Sequence, residues 1–205
     1  ASLGAEFGDR AGWERPSWFQ PAGGGVSTEL KFGKPNWFEC VAREHRATRE
    51  AVAVFDQTSF GKILVQGRDA VSFLERVCAG RLDVPVGRTT YTPVLNDRGG
   101  YESDVVVMRL REDAYLIVTG SAQQARDLDL LGRRIRPDEF VTLTDMTSAY
   151  AVIGVMGPNA RALLSRLGPT DLSNEAFPYM THQEVEIGDT VARASRISYV
   201  GELGW

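Results

Sequence analysis

The sequence predicts an α+β fold in which antiparallel sheets are interspersed with single helices. Candidate strands are mostly joined by short turns, such as those at 96–100 and 111–113, and the helices come singly between pairs of strands. No candidate strand is followed by the G-x-G-x-x-G fingerprint of dinucleotide-binding folds. The pattern therefore disfavours a doubly wound parallel sheet.

Hydrophobic periodicity and turn signals place the individual elements. The predicted helices cover residues 41–53, 68–80, 122–135 and 159–168, the second and fourth stopping at glycines. The predicted strands cover residues 61–67, 88–95, 101–110, 114–120, 140–145, 149–157, 182–187 and 190–200. Ser121 and Gln124 have the spacing of a capping box, so we expect Ser121 to be the N-cap of the third helix rather than a nucleophile.

Residues 1–40 form a lead segment with little periodicity and three of the four tryptophans. It contains a near-repeat, RPSWF at 15–19 and KPNWF at 34–38. Proline holds a chain extended and aromatic rings supply buried area, so we expect an extended, aromatic-rich arm anchored to a neighbouring surface. Residues 41–205 would then form the main folded unit.

Composition and charge narrow the classes of partner. The net charge of −4 is spread along the chain, which argues against a nucleic-acid partner. No apolar run approaches the ~20 residues that span a bilayer, so no membrane partner is expected. Two histidines and two cysteines without metal-ligand spacing disfavour a metal site. Cys40 and Cys78 are expected to be buried free thiols in a reducing compartment: the cytoplasm, or the mitochondrial matrix in a eukaryote.

Asp104 raises the main functional question, because it stands between a glycine turn and a run of valines in LNDRGGYESDVVV (95–107). Strand alternation puts Asp104 and Val106 on one face and Ser103 and Val105 on the other. A carboxylate at such a wet–dry border tends to have a raised pKa, because burial disfavours its charged form. Asp104 is either an acid that caps the turn or one that carries chemistry, and the residues alone favour the cap.

Two further stretches are ambiguous. Tyr199, in SYVGELGW, stands beside glycines, where an aromatic ring lines a heterocycle pocket or belongs to the core. The stretch 154–161 lacks the Lys-Ser/Thr of a phosphate loop and is expected to be a strand-to-helix turn. The chain starts without methionine and stops at Trp205 inside a predicted strand, so we expect a longer parent protein.

Three blocks in order, at 91–107, 152–161 and 198–205, resemble the tetrahydrofolate-binding aminomethyltransferase domain. That domain is the T-protein of the glycine cleavage system and the C-terminal half of dimethylglycine and sarcosine dehydrogenases and oxidases. The stretches 7–19 and 32–67 resemble the dehydrogenase branch, which shares them with the regulatory subunit of pyruvate dehydrogenase phosphatase.

The resemblance implies the aminomethyltransferase folate-binding fold, with a central channel among three subdomains, the C-terminal one missing here. By motif position, Asp104 is the catalytic acid that faces the reactive nitrogens of the folate. T-proteins often carry a second acid just before it, where this chain has Ser103. The implied folate-binding residues are Tyr91, Asp104, Val106, Val118 and Tyr199.

The resemblance also implies a function. Tetrahydrofolate would capture the iminium or formaldehyde equivalent released by oxidation of a small N-methylated amine and become methylenetetrahydrofolate. The oxidation would require FAD in a missing N-terminal portion, since no flavin fingerprint occurs in these residues. The alternatives are a non-catalytic regulatory subunit of the phosphatase type and a folate-dependent demethylase.

Overall fold

The structure, a computed structural model, describes residues 3–205. The helices are α1 Phe38–Glu50, α2 Ala70–Val77, α3 Gln124–Gly132 and α4 Ala160–Leu164. The strands are β1 Ala5–Arg10, β2 Trp13–Phe19, β3 Ala53–Asp56, β4 Gly61–Gln66, β5 Thr89–Leu95, β6 Tyr101–Arg111, β7 Ala114–Thr119, β8 Thr142–Asp145, β9 Ile153–Met156, β10 Thr181–Ile187 and β11 Thr190–Arg196.

The central element is a five-stranded antiparallel sheet in the order β5-β6-β7-β4-β8. Alternate residues of its strands point to one face, where Ile63, Val107 and Ile117 pack in a fully buried core. Phe73 of α2 and Leu131 of α3 belong to the same core, so the two helices cover this face. Burying each such side chain stabilises the fold by about 1.5–3 kcal/mol. We call the part of the opposite side around the half-buried Val106 and Val118 the open face.

A second, smaller core lies beside the sheet, where β3 pairs with β9 and β10 pairs with β11. Phe177 and Trp205 meet there edge to face, with ring centroids 6.1 Å apart. Gly157, with φ +127°, joins β9 to α4, and a Cβ at this position would lie 2.5 Å from the Ala51 carbonyl oxygen. The stretch 154–161 is therefore the expected strand-to-helix turn, and it requires glycine.

The lead segment is not a simple extended arm. β1 and β2 pair as an antiparallel hairpin, whose turn at Ala11 and Gly12 has positive φ angles of 55° and 82°. Trp18 is 5% exposed and its ring stacks on that of Trp37, with centroids 5.8 Å apart and planes 6° apart. The two copies of the near-repeat thus anchor each other, while the division at residue 40 stays a prediction.

The cap predicted for the third helix is wrong. α3 has Gln123 as its N-cap, without a side-chain hydrogen bond. The hydroxyl of Ser121 instead pairs with that of Ser59, at 2.7 Å, which removes it from the helix end.

Two helix ends differ from the expected glycine stops. α2 ends at Val77 because Cys78 is extended and forms a β-bridge with Val94 of β5. α4 ends at Leu164, and i→i−3 bonds carry the turn on to Leu167, next to the expected stop.

Candidate functional site

Four side chains form a row across the open face. The strand register pairs Tyr91 with Val106, Val106 with Val118, and Val118 with Lys62. Val106 and Val118 are half-buried and Tyr91 is 57% exposed. Three of the residues expected to contact a folate are therefore neighbours on one partly apolar surface.

Asp104 lies on the same face of β6, two residues before Val106. The Tyr91 hydroxyl donates a hydrogen bond of 2.8 Å to Asp104 Oδ2. Within residues 3–205, Asp104 Oδ1 accepts no hydrogen bond. The side chain is exposed, so the partial burial expected at the border of the strand is wrong. The reason is that Asp104 is directed away from the helix-covered core that buries its neighbours Ser103 and Val105.

The glycine turn before β6 does not use Asp104 as its cap. Asn96 Oδ1 accepts the backbone N–H groups of Arg98, at 3.0 Å, and Gly100, at 2.9 Å. Asn96 therefore caps the turn. The carboxylate of Asp104 is therefore available to accept hydrogen bonds from Tyr91 and from a ligand on the open face.

The hydroxyl of Tyr91 is the hydrogen-bond donor to Asp104. Its pKa is raised first because its hydroxyl bonds to Asp104, then by burial and by the charge of Asp104. Tyr101 and Tyr199 lie close enough to add to the shift. The phenol therefore keeps its proton through neutral pH and can hold one oxygen of the carboxylate while the other faces outward.

Tyr199 joins this cluster from a loop, since β11 ends at Arg196 and not at residue 200 as predicted. Its side chain is 96% exposed. Glu202 fixes the loop, because its carboxylate accepts the backbone N–H groups of Tyr199 and Val200, each at 2.9 Å. Burial opposes ionisation of Glu202, but these N–H groups hold its pKa below the usual value.

Sequence reasoning did not single out Glu202 or the exposed Tyr101. A carboxylate three residues after an exposed tyrosine in a glycine-rich loop is a usable signal for the first. Tyr101 opens the strand that carries Asp104, which is a weaker signal. Together the three phenols, the carboxylate and the two valines suit a flat, partly apolar ring system that carries N–H donors.

The profile of the family described as GCVT N-terminal domain matches residues 1–205. The chain belongs to this family. The solved glycine cleavage system aminomethyltransferase T from Bartonella henselae is 25% identical with a TM-score of 0.77, covering 99% of this chain and 49% of that one. This match confirms the predicted α+β fold with antiparallel sheets, of the aminomethyltransferase type.

Two curated relatives indicate the branch of the family to which this GCVT domain is similar. 4-Methylaminobutanoate oxidase (formaldehyde-forming) of Paenarthrobacter nicotinovorans is 42% identical over 205 residues, 100% of this chain and 25% of the relative. Mitochondrial dimethylglycine dehydrogenase of Mus musculus is 35% identical over 200 residues, 97% of this chain and 23% of the relative. The GCVT domain thus spans about a quarter of these relatives, and the resemblance to the dehydrogenase branch is confirmed.

Lys62, at the end of the row on the open face, is a residue that sequence reasoning missed. It is 1% exposed, and its ammonium group donates to the carbonyls of Thr58, at 2.7 Å, and Tyr150, at 3.0 Å. Burial lowers its pKa, and the nearby Asp145 partly offsets this effect. A lysine inside the apolar run KILV was the available signal. Lys62 holds together the two loops that leave the sheet of the GCVT domain beside Val118.

Lys62→Ala is expected to lower the free energy of unfolding by about 2–4 kcal/mol, because a buried stem is lost and two carbonyls lose their donor. Urea denaturation would measure the change. Lys31→Ala, at an exposed position, is the matched control and should change stability by less than about 0.5 kcal/mol. Equal midpoints for the two variants would contradict the assignment.

The remaining candidate groups are metal-ligand side chains and the two thiols. Among residues 3–205, no group of three or more His, Cys, Asp or Glu side chains is arranged to hold a metal ion. Cys40 and Cys78 are buried and free, and burial raises the pKa of the Cys78 thiol to about 12. Within the same range, no helix is both long and apolar enough to cross a membrane.

Proposed function

We propose that this GCVT domain binds tetrahydrofolate on its open face and is the one-carbon acceptor module of an N-methylamine dehydrogenase. The observation that carries the proposal is the carboxylate of Asp104, held by Tyr91 at one oxygen and free at the other, beside the Val106–Val118 strip. Family membership and the aminomethyltransferase-type fold support it.

The side chains on the open face fit a reduced pterin. Exposed aromatic rings and half-buried valines suit the flat faces of the ring system, and a carboxylate suits its N–H groups. When bound, tetrahydrofolate supplies the nucleophilic nitrogen that takes up the one-carbon unit as methylenetetrahydrofolate. Asp104 would accept the proton of that nitrogen at Oδ1, while Tyr91 keeps the carboxylate in place through Oδ2.

Asp104 has a second task in this proposal. A fixed negative charge beside the reacting nitrogens stabilises an iminium cation and costs no reorganisation when the cation arrives. The valine strip reduces the water around that cation and so strengthens the attraction. The residues described here thus orient the acceptor and favour capture over release of formaldehyde.

The relatives suggest the source of the one-carbon unit. One is named as a formaldehyde-forming oxidase of a methylamino acid and the other as a dimethylglycine dehydrogenase. We infer that a small N-methylated amine is oxidised in another part of the full-length protein, with FAD held there. The cellular site would be the cytoplasm, or the mitochondrial matrix in a eukaryote.

The test compares products of the full-length protein with and without tetrahydrofolate, using an N-methylated amine that it oxidises. We expect methylenetetrahydrofolate to form at the expense of free formaldehyde, as measured by chromatography and a formaldehyde trap. A protein that binds tetrahydrofolate but forms no folate product would instead support the regulatory alternative. Formaldehyde yields that tetrahydrofolate leaves unchanged would contradict the proposal.

A further inference from the structure

The entrance of β6, which carries Asp104, is supported as a strand on one edge only. On the β5 side the register shifts between Val94 and Leu95, so that Glu102 has no partner in the ladder. On the β7 side the pairing begins only at Val106. Residues 101–105 therefore lack the second row of backbone hydrogen bonds that fixes the rest of the strand.

Helix α3 takes the place of that missing strand. The Arg126 guanidinium donates to the backbone carbonyl of Glu102 and forms an ion pair with its carboxylate. Asp127 Oδ2 accepts the hydroxyl of Ser103 at 2.6 Å and that of Thr119, the last residue of β7, at 2.5 Å. We call Arg126 and Asp127 the α3 clamp.

Asp127 is an unusual group to find at this position. It is 2% exposed, and its Oδ1 has no hydrogen-bond partner among residues 3–205. Arg126 Nη1, at 3.8 Å from Oδ1, is its nearby charge partner. A well-packed apolar group is often no less stabilising than a buried charge. What a carboxylate adds is a directed acceptor that holds two hydroxyls at fixed positions.

The carboxylate of Asp127 is connected to that of Asp104 through Ser103, which donates a hydrogen bond to Asp127 and precedes Asp104 in the chain. Ser103 points to the helix-covered side of the sheet and Asp104, the next residue, points to the open face. Any rotation of the strand at Ser103 therefore moves Asp104 relative to Tyr91.

We propose that Asp127, with Arg126 beside it, is a positioning residue that fixes the direction of Asp104 on the open face. The inference rests on the proposed function of Asp104, although the position of the carboxylate can be measured without folate. Asp127 touches neither ligand nor reacting atoms and acts through Ser103.

The first measurement uses the full-length protein and the variants Asp127→Asn and Ser103→Ala. We expect the kcat of methylenetetrahydrofolate formation to fall about 10- to 100-fold, because small misplacements of a catalytic group have such effects. The KM for tetrahydrofolate should change less than about two-fold, since the ring-binding surface remains. Asp129→Asn, on the same helix but exposed and paired with Arg133, is the control and should leave both constants unchanged.

The second measurement follows the phenol of Tyr91 by NMR in protein labelled with ¹³C-tyrosine, assigned with Tyr91→Phe. In the wild type its pKa is raised by the bond to Asp104. It should fall towards the ordinary value in Asp127→Asn and Ser103→Ala, but not in Asp129→Asn. A purely structural role for Asp127 would lower the melting temperature and leave this titration unchanged.

The outcomes separate the two proposals. A wild type that makes no folate product refutes the proposed function, while the Tyr91 titration still supports or refutes the positioning of Asp104. Variants that are folded and keep both the wild-type kcat and the wild-type Tyr91 titration overturn the inference. Ser103→Ala removes one hydroxyl and leaves the α3 clamp in place, so it decides the matter if Asp127→Asn does not fold.

Discussion

Asp104→Asn is expected to lower the rate of tetrahydrofolate-dependent product formation by about 10²–10⁴ in the full-length protein. Loss of a positioned general base typically has an effect of this size. The asparagine amide can still accept the hydroxyl of Tyr91, so the surface should keep its shape. What disappears is the negative charge and the site that takes up the proton. Oxidation of the amine should continue, with free formaldehyde as the product.

Single-turnover kinetics with chromatographic detection of methylenetetrahydrofolate would measure this change. The matched control is Asp97→Asn, an exposed acid in the turn that precedes β6, whose replacement should leave the rate within two-fold. Tetrahydrofolate affinity, measured by calorimetry, should fall in Asp104→Asn, because the outward-facing amide NH2 cannot accept the N–H groups of the folate, and should stay unchanged in Asp97→Asn. An Asp104→Asn protein with the wild-type rate would refute the catalytic assignment.

Acid is expected to destabilise the domain through His182. This side chain is 8% exposed and its Nδ1 lies 3.4 Å from the hydroxyl of Thr89. Burial, aided by the charge of Arg193, lowers its pKa from 6.5 to about 4. Because the unfolded chain binds the proton more readily, the stabilisation is complete above pH 6.5 and is lost as the pH falls towards 4. The total is about 3 kcal/mol, at about 1.4 kcal/mol per pKa unit.

Urea denaturation at several pH values between 4 and 8 would measure this dependence. In His182→Asn, the fall in the free energy of unfolding between pH 6.5 and 4 should be smaller than in the wild type by most of that amount. His45→Asn, at an exposed position on α1, should retain the wild-type dependence. Parallel curves for all three proteins would show that His182 is not the group responsible.

The location of Asp104 was predictable in part. Turn and strand signals placed it correctly at the entrance of β6, but the residues alone favoured a turn cap over a reactive acid. The answer depends on the register of β5 against β6, which brings Tyr91 to Asp104, and on Asn96, which takes over the turn. Neither contact can be predicted from the hydrophobic periodicity of the sequence. The family resemblance indicated a catalytic acid, and this role of Asp104 stays a prediction.

Lys62 and Asp127 show a different limit. Charged residues are almost always solvated, so a sequence pattern assigns them to the surface. Both are buried here because distant groups satisfy them: the carbonyls of Thr58 and Tyr150 for Lys62, and two hydroxyls for Asp127. Such partners become visible only once the chain is folded.

The stacked indoles of Trp18 and Trp37 have an optical consequence. The four tryptophans lie at positions 13, 18, 37 and 205, so the five-stranded sheet contains none. Intrinsic fluorescence therefore reports on the hairpin, the start of α1 and the end of the chain, while the sheet that carries Asp104 emits no tryptophan signal. Release of the hairpin would separate the two rings and change their emission, which makes docking of this segment observable without an added dye.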